Sequence, residues 1–358
     1  AIEGDVDGEA DFSEETQRRR DEETAAMASR DVSPSLNLSV SSPAALVCGV
    51  MEHIEHAGVH SGDSTCSIPP STLHDRTVER IRETARKLAA ELGVCGLMNV
   101  QAAIKDDEIY IIEVNPRASR TVPYVGKAKQ VAWASLAAKA MMGQSLAEQG
   151  ASEKPDVGFF AVKAPVFPFQ KFPGVDFVLG PEMRSTGEVM GVDVSMANAY
   201  LKAMLAAGVT LPREGGVFIS VRRADRDLVV DAARSLMAKG FEVYCTDGTG
   251  EALTRHGLRP RILQKIATGV RPNVIDMMTD GKIAMVINTP TRTGWKTDEG
   301  AIRSTAVRLG TPMLTTISAT NAAVRAIEAS RAGFRTVRPL HALRPAPAPP
   351  RTEAVASS

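Results

Sequence analysis

The stretch that most constrains this chain is GLMNVQAAIKDDEIYIIEVNPRASRTVP, Gly96 to Pro123. It reads as a β-hairpin: LMNVQAAI alternates in part, Lys105-Asp106-Asp107-Glu108 is a polar turn, and IYIIEVN is rich in β-branched residues. Side chains alternate faces along a strand, so Glu113, Asn115 and Arg117 share one face as far as the strand continues. With Asp106, Asp107 and Glu108 as the loop, residue 105 pairs with 109, 103 with 111, and 101 with 113. Gln101 then sits across from Glu113. A one-residue slip would separate them.

Such a hairpin offers hard oxygen donors from Glu113, Asn115 and Gln101. Magnesium held by one or two carboxylates, with nucleotide phosphates completing its shell, needs this chemistry. Arg117 suits a planar fork for phosphate oxygens. From spacing alone, a hairpin with a wet polar face explains the same residues.

Composition removes several function classes. The chain has 358 residues, enough for two or three domains, and 44% are apolar. The net charge of +0 gives no electrostatic case for nucleic-acid or membrane binding, and 4% aromatic content argues against base-stacking platforms. No apolar run is long enough for a transmembrane helix, and the acidic N-terminus lacks a signal-peptide core. Cys48, Cys66, Cys95 and Cys245 show no CxxC pairing and read as buried, reduced thiols of a cytoplasmic protein.

Residues 1–44 are charged, then rich in Ser and Pro, and are expected to be disordered, as is the Pro/Ala tail at 341–358. LVCGVMEHIEHAG reads as a strand leading into AGVHSGDSTCSIPP. SIPPSTLHDRTVERIRETARKLAAELGV reads as a helix capped by Ser71 or Thr72 and ended by Gly93. RASRTVPYVGKAKQ, with Arg117, Arg120, Lys127 and Lys129, reads as a basic loop. VAWASLAAKAMMG reads as a tightly packed helix, and residues 151–212 as strands punctuated by Pro and Gly. From Gly215 short apolar strands (GGVFISV, FEVYCT, KIAMVINTP, TPMLTTI) alternate with helical stretches, which predicts a doubly wound parallel sheet. Ligands in such sheets sit where strands end and helices begin. Thr246-Asp247-Gly248-Thr249 and Asn288-Thr289-Pro290-Thr291 occupy such turns, although an ordinary β–α turn reads the same way.

MEHIEHAGVHSGDS, GLMNVQ, IIEVNPRASRTVP and GPEMRSTGEVMG, in this order, closely resemble the second ATP-grasp unit of carbamoyl-phosphate synthase large chains. The resemblance runs from about Ala45 to the C-terminal tail. It implies an α/β chain: part of an ATP-grasp (α+β) domain at 45–212, then a methylglyoxal-synthase-like allosteric domain at 213–340. The matching part of the family is preceded by a nucleotide-covering lid and another ATP-grasp half. The chain therefore reads as a C-terminal fragment with a foreign or mistranslated head.

By the same resemblance Gly58, Val59, His60 and Ser61 line the nucleotide pocket, together with Gln101 and Glu113. Gln101, Glu113 and Asn115 ligate Mg2+ or Mn2+, and Arg117 touches phosphate as the catalytic arginine. His60 alone would read as an ordinary surface histidine. Thr246, Thr249, Lys265 and Asn288 match positions that bind a nucleotide monophosphate, UMP or IMP. Arg226 stands where some members have Lys, and Pro290 where some have a Thr that contacts UMP. In some members, carboxylates matching Glu55 and Asp63 help bind ornithine, with a Glu at the position of Ala164 and a Tyr at that of Met313. The Ala164 replacement argues against ornithine activation through that site.

The implied activity is that of an ATP-dependent, glutamine-hydrolysing ligase. Carbamate is phosphorylated to carbamoyl phosphate for pyrimidine and arginine synthesis, with ammonia supplied by a glutaminase small chain. The isolated chain reads as catalytically incomplete. The alternative is a module that only binds a nucleotide monophosphate. A methylglyoxal synthase ranks low, because its chemistry needs a histidine in the phosphate pocket, whereas His256 lies at a helix end and His341 in the tail.

Overall fold

The computed structural model describes residues 30–33, 45–154, 156, 158–171, 178–289, 297–333, 337 and 339. Strands β1 (Arg30–Ser33), β2 (Met51–His56), β3 (Cys66–Ile68), β4 (Asn99–Lys105), β5 (Glu108–Asn115), β6 (Phe160–Val166) and β7 (Gly187–Asp193) form a seven-stranded sheet. Its order is β5-β4-β1-β2-β3-β6-β7, and every pairing is antiparallel. Four residues of the head expected to be disordered are thus a strand, lying between β2 and β4. The remainder of 1–44, and all of 341–358, lie outside the described residues.

Helix α1 (Asp75–Glu91) turns Val78, Ile81, Ala85 and Ala89 inward onto Val100 and Met98. Its N-cap is His74, not Ser71 or Thr72. The backbone N–H groups of those two residues donate instead to the buried Glu52 carboxylate, at 2.6 and 2.7 Å. The supposed basic loop is in part helix α2 (Val122–Lys129), with a proline in its first turn. Lys129 is buried there and donates to Asp156 at 2.7 Å. Helix α3 (Trp133–Met141) buries Trp133, Ala137 and Ala140. Cys48, Cys66 and Cys245 are buried free thiols, whereas Cys95 is exposed.

Helix α4 (Met196–Ala206) was not expected in the irregular stretch. It lies on β7 at Gly191, where a Cβ atom would come within 2.2 Å of the Ala199 carbonyl oxygen. Beyond it, β8 (Gly216–Ser220), β9 (Glu242–Cys245), β10 (Arg261–Ile262), β11 (Ile283–Asn288) and β12 (Met313–Leu314) form an all-parallel sheet of order β10-β9-β8-β11-β12. Helices α5 (Val230–Ala238), α6 (Asp247–Arg255), α7 (Val274–Thr279), α8 (Asp298–Leu309) and α9 (Ile317–Arg331) cover it. The faces follow the two-residue period of strands. Val217, Ile219, Met285 and Ile287 enter a core with α5 and α9. Phe218, Tyr244 and Val286 enter another with α7 and α8. The first of these cores also takes in Val162 and Ala164 of β6 and the buried side of α4, so it runs through both sheets.

No helix among the described residues is long and apolar enough to cross a membrane. The close approach at Gly191 yields a test. Gly191→Ala is expected to lower stability by roughly 2–3 kcal/mol through overpacking, read from its denaturant midpoint at unchanged m-value.

Candidate functional site

The hairpin forms with a two-residue turn. Asp106 and Asp107 both have positive φ, 50° and 62°, the backbone that a tight hairpin turn demands. Lys105 therefore pairs with Glu108, one residue short of the expected register. A bulge opposite the Gln101–Ala102 step, with Ile112 as the extra residue, restores it: Gln101 faces Glu113 and Asn99 faces Asn115. Two departures cancel, and the expected juxtaposition is present.

On this face the Asn115 Nδ2 donates to Glu113 Oε1 at 2.9 Å. Glu113 is exposed, whereas Gln101 and Asn99 are buried. Asn99 was passed over in the sequence, although extending the pairing to Asn115 would have found it. Arg117 lies past the end of β5, so strand alternation does not place it. Its backbone N–H donates to the Asn115 carbonyl, and its exposed guanidinium to the Ala118 carbonyl at 3.1 Å. The donor set is one carboxylate with carboxamides beside it. That fits a hard cation whose shell is completed by phosphate oxygens, and does not fit a self-sufficient metal cage. Consistently, no group of three or more His, Cys, Asp or Glu that could hold a metal is found among the described residues.

The loop after β2 carries Gly58, Val59, His60 and Ser61. Gly58 has φ +94°, which favours glycine. His60 N–H donates to the Gly180 carbonyl at 2.8 Å, and Val59 N–H to the His56 carbonyl. Lys163 Nζ donates to the Ser61 carbonyl at 2.7 Å, and Ser185 Oγ to that of Gly62 at 2.9 Å. Asp63 is fully buried and accepts the backbone N–H groups of Arg184 and Ser185, each at 2.8 Å. GPEMRSTGE is thereby fastened to the loop, and the Asp63 carboxylate is spent on that fastening. Arg120 reaches across from the hairpin's continuation to Met183 and the Ser185 carbonyl. The hairpin, the loop and GPEMRSTGE are thus one assembly.

Behind the loop lies a cavity of about 340 Å³ between the two sheets' modules, lined by groups including Glu55, Phe167, Tyr200, Met204 and Met313. Burial pushes the Glu55 carboxyl up to about 7, although the Thr65 N–H donates to it at 2.5 Å. Burial, and secondarily the Arg222 charge, lowers His56 at the same junction. Ala164 is buried in the shared core and brings no charge.

At the C-terminal ends of the parallel strands, Thr246, Thr249 and Asn288 come together around Ser220. Thr246 Oγ1 and Ser220 Oγ lie 3.3 Å apart, Thr249 Oγ1 accepts the Val221 N–H, and Asn288 Nδ2 donates to the Ser220 carbonyl. The buried Asn288 Oδ1 has no hydrogen-bond partner among the described residues. The Arg226 guanidinium crowds Gly248, where a Cβ would sit 2.3 Å from Nη2. Lys265 follows β10, two strands along the sheet from β8, and is exposed. Pro290 and Thr291 lie outside the described residues. His256 ends α6, its Nδ1 3.0 Å from the Ala252 carbonyl.

The fold is that of part of an ATP-grasp (α+β) domain joined to a methylglyoxal-synthase-like domain. Residues 40–149 match the model of the carbamoyl-phosphate synthase L chain, ATP binding domain, and residues 228–315 that of the MGS-like domain. The chain is related over most of its length to the carbamoyl phosphate synthase large chain. It is 49% identical to that of Archaeoglobus fulgidus over 82% of this chain and 27% of that protein. It is 48% identical to that of Methanoculleus marisnigri over 82% and 28%. With the carbamoyl phosphate synthase large chain, C-terminal section, of Methanocaldococcus jannaschii, identity is 45% over 83% of this chain and 50% of that one. The chain thus spans half or less of these relatives. Among solved structures, the biotin carboxylase domain of a single-chain bacterial carboxylase is 16% identical, with a TM-score of 0.39 over 50% of this chain and 47% of that one.

The Glu55 environment predicts a pH dependence. The fold prefers the protonated carboxyl, so stability falls as pH rises from its ordinary 4.5 to about 7. Glu55→Gln cannot ionise. Its stability relative to the parent is expected to be near parity at acid pH and to gain on the order of 2 kcal/mol above neutrality, in denaturant titrations across that range.

Proposed function

We propose that this chain is the part of a carbamoyl-phosphate synthase large chain that phosphorylates carbamate with ATP and carries its nucleotide-responsive domain. The observation that carries the reading is the pairing of Gln101 with Glu113 and the contact of Asn115 with the same carboxylate. Glu113, Gln101 and Asn115 would hold Mg2+ or Mn2+, which supplies charge neutralisation at the transferring phosphoryl group. Phosphoryl transfer asks for positioning and electrostatics, and needs no protein nucleophile. Arg117, exposed beside this face, would take phosphate oxygens, and the Gly58–Ser61 backbone would receive the nucleotide. Ammonia would come from a glutaminase small chain in the cytoplasm, and the product would serve pyrimidine and arginine synthesis.

For the C-terminal domain, the Asn288 Oδ1, without a partner among the described residues, and the nearby Thr246, Thr249 and Arg226 support a nucleotide monophosphate, UMP or IMP. Ornithine is disfavoured, because Ala164 supplies no carboxylate and the cavity that Glu55 lines has Met313 in its wall. This domain also supports the second reading, a module that binds the effector without catalysis.

In a complete synthase, Glu113→Ala is expected to abolish metal-dependent carbamoyl phosphate formation, with circular dichroism and melting unchanged; normal turnover would sink the assignment. Calorimetric titration of the isolated chain separates the two readings. Mg-ATP binding alongside UMP or IMP binding supports the first, and effector binding alone the second.

A further inference from the structure

Lys163, on β6, is fully buried, and its Nζ donates to the Ser61 carbonyl at 2.7 Å while pairing with Glu188 at 3.4 Å. Burying an ammonium is costly, and an apolar side chain would fill a strand position as well. The lysine's bond to the loop therefore calls for a use. The other end of the same peptide unit answers it. The Gly62 N–H donates to His60 Nδ1 at 3.0 Å. A peptide group is planar and trans, so holding its carbonyl toward Lys163 aims its N–H toward the ring. Gly62 has no Cβ to obstruct this: one would stand 3.1 Å from His60 Nδ1. An imidazole nitrogen that accepts a hydrogen bond is unprotonated, so the neutral ring carries its proton on Nε2.

We propose that Lys163 is a positioning residue, which sets the Ser61–Gly62 peptide and through it makes His60 an Nε2–H donor for an acceptor atom of the bound nucleotide. The acceptor class is a ribose hydroxyl oxygen or a base nitrogen, and this part rests on the nucleotide reading above. Glu188, 3.4 Å from Nζ, holds the lysine head in place. His60 is then a directed donor, in addition to whatever its backbone contributes.

The test uses the full chain labelled with 15N-histidine. Long-range 1H–15N spectra at about pH 8.5, where an ordinary imidazole is neutral, report the ring tautomer, and His60 is assigned from its loss in His60→Gln. The parent is expected to show the Nε2–H tautomer. Lys163→Met should shift His60 to a tautomer mixture and weaken Mg-ATP binding roughly tenfold, one hydrogen bond's worth. A parent-like tautomer and affinity in Lys163→Met would overturn the proposal. Where that variant fails to fold, Lys163→Met/Glu188→Leu removes both charges together, and the same two outcomes decide. A tautomer shift in a chain that binds no Mg-ATP would uphold the positioning role and sink the nucleotide reading, so the two failures are told apart.

Discussion

The structure depends on one stretch of apolar burial that ignores the division between its two sheets. Helix α4 has Ala199, Tyr200, Leu201, Ala203 and Met204 buried, and its core contains Val162 of the antiparallel sheet as well as Ile219 and Met285 of the parallel one. Helix α9 joins it through Ala323 and Ile327. A core of this kind is close-packed and resists sliding. The loop that bears Gly58–Ser61 and the strand ends that bear Asn288 are held on the same packed body.

Around that core, polar bonds fix the loop itself. Asp63, Lys163 and Ser185 are all buried, and each makes a long-range bond between the loop and the 160–188 stretch. Charged groups of this sort stabilise only when their partners are in place. The hairpin is different. Glu113 stands exposed on it and Arg117 exposed just beyond its end, which suits groups that would exchange water for a phosphate and its cation.

Much of the parallel sheet was legible, because strands of one apolar run alternate there with amphipathic helices. Helix α4 was not: nearly all of its surface is covered, so MANAYLKAMLA shows no clear polar stripe to read. Helix α2 was hidden by its cations, since Lys127 and Lys129 suggest solvent, while the fold gives Lys129 a buried acceptor at Asp156. The pairing of Gln101 with Glu113 was reached through a wrong turn and an unseen bulge. The β1 strand could not be read from a segment rich in charge and serine. Lys163 and Glu188 were missed because their meaning lies at Ser61, 102 residues from the lysine. A carboxylate such as Asp63 looked available for a ligand for the same reason: its partners, 121 and 122 residues away, are backbone amides.

The cavity beside Glu55 draws its walls from both modules, with Tyr200 and Met204 on one side and Val307 and Met313 on the other. A guest there would act as mortar in a joint. Whatever free energy it gained would depend on the distance between the two walls, and by reciprocity it would resist any change in that distance. An apolar molecule of fitting size, with no resemblance to any substrate, would therefore add its binding free energy to the hold that the shared core already has on both modules.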